Sequence, residues 1–198
     1  MGIFRTKLIL RINKLLAGRF QEPFRLLDFG CGDGETIAQA AMFGFEAAGI
    51  DVSRSRIETA GINKSPIFPD LERFDRDGGG KVHAIILEQV LEHLMEPRDI
   101  LVALGERLLP GGILYIAVPD CTGITVPRDF AAFHRVQPVE HVNAFTPNTL
   151  AKLVENAGFR RLRWPSVFVS EDLSGAMRTM VGMALRRQNT EQFFRYDG

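Results

Sequence analysis

From residue 25 onward, short apolar runs alternate with stretches whose apolar residues recur every three or four positions. That alternation predicts parallel strands joined by crossover helices. Arg25–Phe29 predicts a buried first strand, residues 35–43 a helix closed by Gly44, and residues 45–50 a second strand. Ser53 is placed to cap a helix through Ala60 that Gly61 stops, and Ile67–Phe68 predicts a short third strand. Residues 69–81 are polar and end in Gly78-Gly79-Gly80, the pattern of a loop with about one helical turn. Residues 82–87 predict a fourth strand. Pro97 opens a helix with a stripe of Ile100, Leu101, Leu104 and Leu108, which Pro110-Gly111-Gly112 ends, and residues 113–118 predict a fifth strand.

Residues 120–145 show no period and contain Pro127 and Pro138. A connection of this length in one domain is usually a lid or a binding loop. Thr146 and Pro147 then make a helix start, with Leu150, Leu153, Val154 and Ala157 as the buried face and Gly158 as the stop. Residues 160–169 predict a strand, residues 173–184 a helix with Met177 and Met180 on its apolar face, and residues 191–196 a last strand. At the other end, residues 1–24 predict an amphipathic helix, with Leu8, Ile12, Leu15 and Leu16 packed on the domain and the basic residues in water. The organisation expected is that helix followed by one α/β domain over 25–198.

Composition narrows the class. With 198 residues, 45% of them apolar and 24% charged, the chain fits one ordinary globular domain. Lys plus Arg and Asp plus Glu both number 24, so no overall field selects nucleic acid or an anionic membrane. The basic amphipathic start leaves two roles open, roofing a pocket or leaning on a membrane surface. Gly2 and Thr6 fit the short N-myristoylation pattern, which often matches by chance. Cys31 and Cys121 are too few for a disulfide framework, which points to a reducing, cytoplasmic setting. No apolar run reaches the ~18 residues of a membrane span, and no signal-cleavage site stands out.

Chemistry concentrates at Leu26-Leu27-Asp28-Phe29-Gly30-Cys31-Gly32-Asp33-Gly34-Glu35. A strand that breaks into three alternating glycines and then a helix lets backbone approach a ligand closely. Asp51 ends the second strand, where doubly wound folds place an acid on ribose hydroxyls. A dinucleotide fingerprint starting at Gly30 needs glycine at position 35, where Glu35 stands, and Asp33 would crowd a pyrophosphate. An adenosyl group carrying a zwitterionic amino acid suits the turn better. His134, Glu140 and His141 do not show zinc spacing, and no metal is expected.

These residues resemble the class I S-adenosylmethionine-dependent methyltransferases. LLDFGCGDG is similar to that family's first motif, and GID ending at Asp51 to its ribose acid. AIILEQVLEHL resembles the strand-four motif of a subgroup that includes quinone-biosynthesis O-methyltransferases. LLPGGILYIAVPD and HVNAFTPNTLAKLVENAGF resemble the segments that follow. The resemblance implies a doubly wound, mostly parallel seven-stranded sheet with helices on both faces, and S-adenosylmethionine as cofactor.

It also implies roles. Gly30, Cys31, Gly32 and Gly34 would hold the methionine part, with Asp28 and Asp33 supporting that loop or meeting the ammonium. Asp51, followed by Val52, would take the ribose, and Asp70 with Leu71 the adenine, with Glu72 and Asp75 as alternatives. Glu88 and Gln89 would border the sulfonium and its methyl. Many relatives begin strand four with Phe-Asp; here Val82-His83 stands there, and Phe74-Asp75 lies before the triple glycine. That departure leaves the adenine contact open. General-base candidates are His93 with Glu92 and His141 with Glu140, while His134 shares the substrate loop with Phe130, Phe133 and Arg135. His83, inside a strand, reads as structural. The function implied is methylation of a small molecule, at oxygen first. The alternatives are a non-catalytic module that binds the same cofactor and a nicotinamide-dependent oxidoreductase, which Glu35 disfavours. A nucleic-acid partner is not expected, since no basic patch is laced with aromatics.

Overall fold

The apolar runs form one seven-stranded sheet in a computed structural model that describes residues 2–62, 66–162 and 189–198. The strands are β1 (Arg25–Phe29), β2 (Glu46–Ile50), β3 (Ile67–Phe68), β4 (Val82–Glu88), β5 (Leu108–Pro119), β6 (Phe159–Arg161) and β7 (Asn189–Tyr196). Their order is β3-β2-β1-β4-β5-β7-β6, with β1 to β5 parallel and β7 antiparallel to both β5 and β6. This is the doubly wound, mostly parallel sheet that the resemblance implied. The chain winds outward from β1 to β3 and then returns to β4. The order therefore reverses between β1 and β4, and ligands in such sheets bind outside the strand ends at that point.

Successive residues of a strand face opposite ways, so continuous apolar strands feed two cores. Leu27, Ile85, Leu87, Leu114 and Ile116 pack under α5 (Pro97–Gly105) and α7 (Pro147–Asn156). Leu26, Ala84, Ile86, Ile113 and Tyr115 pack under α1 (Gly2–Ala17) and α2 (Glu35–Met42). From α1, Leu8, Ile9, Ile12 and Leu16 are buried, each worth roughly 1.5–3 kcal/mol. The expected solvation of its basic residues is corrected at two places. Arg11 is buried, and the Arg5 side chain is only 20% exposed, paired with Glu35.

Other departures have tertiary causes. The α5 helix ends at Gly105, and Leu108 begins β5 because it pairs with Val82; Pro110-Gly111-Gly112 becomes an irregularity inside that strand. Sheet pairing overrode the helical stripe. After α3 (Arg54–Ile62), the polar stretch holds α4 (Leu71–Arg76), which buries Phe74 and is capped by Asp70 accepting from the Arg73 N–H at 2.7 Å. The unpatterned loop contains α6 (Phe130–Val136), capped in the same way by Asp129. At α7 the Thr146–Thr149 pair closes a reciprocal cap, and Gly158 follows with φ +94°. The helix expected over 173–184, and the strand expected beyond residue 162, lie outside the described residues.

Candidate active site

Where β1 ends, the chain turns away from the sheet and two N–H groups, of Gly30 and Cys31, donate to the Ile50 carbonyl at 2.7 and 3.0 Å. Gly30, Gly32 and Gly34 all have positive φ, at 79°, 59° and 83°. Gly30 has a second reason to lack a side chain, since a Cβ there would strike Val90. Asp51, buried at the end of β2, accepts from the Gly32 N–H at 2.9 Å and the Ser53 N–H at 2.8 Å, with Arg56 at 3.5 Å. Its carboxylate thus ties the second strand to the glycine turn. A cleft of about 440 Å³ opens here, lined by Arg5, Gly30, Cys31, Gly32, Asp33, Ser55 and Arg56, within the range of small-molecule sites. Val52, 91% exposed, follows Asp51.

The electrostatics are unusual beneath the turn. Asp28 is buried, and desolvation, with the Glu88 charge adding, pushes its carboxyl up to about 7 against the pull of Arg5. Burial also raises Glu88, and it pushes the Cys31 thiol far up, so that sulfur is no nucleophile. Arg5, Ser55 and Arg56 are lining residues that sequence reading missed. Ser55 and Arg56 stand in the first turn of α3, just after Asp51, and that position was a usable signal. Arg5 comes from a distant helix and carried none.

Glu88 ends β4, and Gln89 follows in the left-handed region with φ +56°. Its N–H donates to the Ala117 carbonyl at 2.8 Å. Such a conformation costs roughly 1–2 kcal/mol outside glycine and gathers where position matters. The chain then packs Val90 against Gly30 and forms a 3-10 turn, Leu91–His93. Val142 and Asn143 each donate an N–H to the Glu92 carbonyl at 3.0 Å, and the Asn143 side chain reaches the Leu94 carbonyl at 2.6 Å. These bonds fasten the 120–145 loop onto the exit of β4.

The His93 and His141 rings consequently meet edge to face, 4.8 Å between centroids. Nδ1 of His93 faces the Glu140 carbonyl at 3.0 Å, and Nδ1 of His141 faces the Arg135 carbonyl at 3.3 Å. A ring nitrogen beside a carbonyl must donate, so in a neutral ring held this way Nε2 carries the lone pair. Burial lowers the His141 pKa and favours its neutral form. Glu140 therefore serves His93 through its backbone rather than His141 through its carboxylate. His134 stands apart, edge-on to the exposed Phe130 at 4.3 Å.

Asp70 caps α4, Leu71 packs against the first core, and neither lines the glycine-turn cleft. Glu72 pairs with Arg76 and Asp75 with Arg107, so of the three acids only Asp70 stands directly after β3. His83 accepts the Arg25 N–H at 2.8 Å and packs on Phe20 and Phe24.

The profile of a family described as a methyltransferase domain matches residues 1–163. A ubiquinone biosynthesis O-methyltransferase of Caulobacter vibrioides is 29% identical over 130 residues, 62% of this chain and 52% of that protein. The chain thus spans about half the length of the curated relatives it matches. Among solved structures, the plantazolicin methyltransferase BamL, in complex with a triazolic desmethylPZN analog and SAH, superposes with a TM-score of 0.72 at 18% identity, covering 98% of this chain and 85% of that one. The [4+2]-cyclase SpnF superposes with a TM-score of 0.62 at 17% identity over 96% and 80%.

Proposed function

This chain belongs to the methyltransferase-domain family, and on that premise we propose that it is an S-adenosylmethionine-dependent methyltransferase acting on a hydroxyl of a small molecule. The observation that carries the reading is the Asp51 carboxylate, bonded to the glycine turn that lines the cleft. Asp51 keeps lone pairs for ribose hydroxyls. The free N–H groups at the start of α2, together with Arg5, suit a carboxylate, and Asp28 suits an ammonium. Glu35 at the helix start, already paired with Arg5, opposes a pyrophosphate in the same place.

The bound cofactor would supply a methyl group on a sulfonium, which is already an activated leaving group. This chain's residues then have to hold an acceptor in line, an effect worth up to ~7–11 kcal/mol. We infer that the exit of β4, with Gln89 in its left-handed conformation and the 120–145 loop fastened to it, supplies that hold. A hydroxyl acceptor must also lose its proton, and we assign that task to Nε2 of His93 or His141, whose Nδ1 atoms are engaged with backbone carbonyls. SpnF shows that a fold of this shape also serves a cyclase, so chemistry is argued from the site and not from the sheet. We place the reaction in the cytoplasm, in keeping with two free, buried cysteines. The buried face of α1 lies on the core, which favours roofing the cleft over leaning on a membrane. Among the described residues, no helix is long and apolar enough to cross a membrane.

The test is transfer of labelled methyl from S-adenosylmethionine to a panel of phenols, sugars and amines. Label is expected in a hydroxyl compound. Label only in amines would overturn the oxygen assignment, and a thermal shift with NADH but none with S-adenosylhomocysteine would overturn the whole reading.

A further inference from the structure

Glu92 is the most anomalous charged residue among those described. It is 1% exposed, and neither carboxylate oxygen has a hydrogen-bond partner. A buried acid without partners costs several kcal/mol, and such a group calls for an explanation. Its neighbours supply one. Glu92, His93 and His141 each present a ligand atom, and those atoms all lie within 4.8 Å of one another. Both imidazoles are fixed through Nδ1 to backbone carbonyls, of Glu140 and Arg135. That is the arrangement in which a metal-binding histidine is held, its other nitrogen oriented and made more basic.

We propose that Glu92, His93 and His141 form a binding site for a divalent first-row transition ion, best matched by Zn2+. Two imidazoles and one carboxylate are a nitrogen-rich set that suits zinc and its neighbours rather than Mg2+ or Ca2+, which prefer all-oxygen shells. Three protein ligands leave a coordination position open. Ligand atoms around zinc lie about 3.3–3.5 Å apart. The trio must therefore contract by roughly an ångström as the ion binds. Sequence spacing hid this set. Glu92 and His93 are adjacent, but His141 arrives from the far end of a loop, carried by the Val142 and Asn143 bonds to Glu92. The sequence reading expected no metal, since His134, Glu140 and His141 lack zinc spacing; the trio that the fold assembles is a different one.

The site's existence does not depend on the methyl-transfer reading; its role does. On that reading, an ion there would polarise an acceptor hydroxyl and take over the work of a base.

The experiment uses untagged full-length protein stripped with EDTA. Co2+ is titrated in and followed by its visible absorption, Zn2+ by competition against it, and each variant is checked by its thermal shift with S-adenosylhomocysteine. One equivalent of Co2+ is expected to bind, to be displaced by Zn2+, and to raise the unfolding midpoint. Glu92→Gln and His141→Ala should each weaken Co2+ binding by tenfold or more while leaving the S-adenosylhomocysteine shift in place. His93→Ala is a third variant in case Glu92→Gln fails to fold. Absence of stoichiometric binding to the wild type, or equal binding by the folded variants, would overturn the proposal. Loss of the S-adenosylhomocysteine shift in the wild type would instead count against the cofactor assignment.

Discussion

The two ends of the proposed active site are built by different means. At the cofactor end, local backbone chemistry suffices: glycines with positive φ, one strand end beside another, and an aspartate closing the turn. At the acceptor end nothing is local. His93 and His141 meet only because Val142, Asn143 and the Asn143 side chain bond back to residues 92 and 94. A ligand common to a whole family can be held by a motif. A ligand peculiar to one member is held by loops that other members are free to rebuild.

That difference breaks down most visibly if the cofactor end is not electrostatically tuned. Burial holds the Asp28 carboxyl at about 7 in the folded protein, against 3.8 when unperturbed. Below pH 4 both states keep the proton and no penalty exists. Between pH 4 and 7 the unfolded chain releases it while the folded protein keeps it, so stability falls as pH rises. At 1.36 kcal/mol per pH unit this comes to on the order of 4 kcal/mol, fully present above pH 7. Urea unfolding from pH 4 to 8 should show wild type losing ground steadily to Asp28→Asn. Parallel profiles would mean that Asp28 is already ionised at neutral pH.

A somewhat smaller effect is expected at Gly30→Ala. Left-handed strain and the collision with Val90 together should lower stability by roughly 2–4 kcal/mol, read from the urea midpoint. A loss under 1 kcal/mol would show that the turn tolerates side chains and is less specialised than it looks. Smaller still, Asn143→Ala removes one hydrogen bond and should cost about 0.5–1.5 kcal/mol in stability. Its fall in kcat should be disproportionate, at least tenfold, because the loop it fastens would drift. A kcat unchanged under saturating substrate would make the fastening merely structural.

Legibility followed the same divide. The boundaries of β1 and β3 and the start of α7 were readable because each rests on a local signal: an apolar run, or a Thr-Pro pair. The role of Leu108 was not, because its helical spacing lost to pairing with Val82 across the sheet. Helix α6 buries only Ala132, so it has no apolar stripe to betray it, and Asp129 as cap was its one sign. Within the site, Gly30 to Gly34 and Asp51 stood out, whereas Arg5 lines the cleft from a helix whose pattern announces only packing. Glu92 and His141 each appeared in the sequence as half of a different pair. Their meeting is a property of the folded loop.

The most direct measurement is calorimetric titration of S-adenosylhomocysteine into wild type and Asp51→Ala. Wild type should bind one equivalent, and Asp51→Ala, still folded by circular dichroism, should bind at least ~100-fold more weakly, since two charge-assisted ribose bonds would be lost. No binding by the wild type, or equal affinity in the two proteins, would contradict the assignment of the glycine turn and Asp51 as the cofactor site.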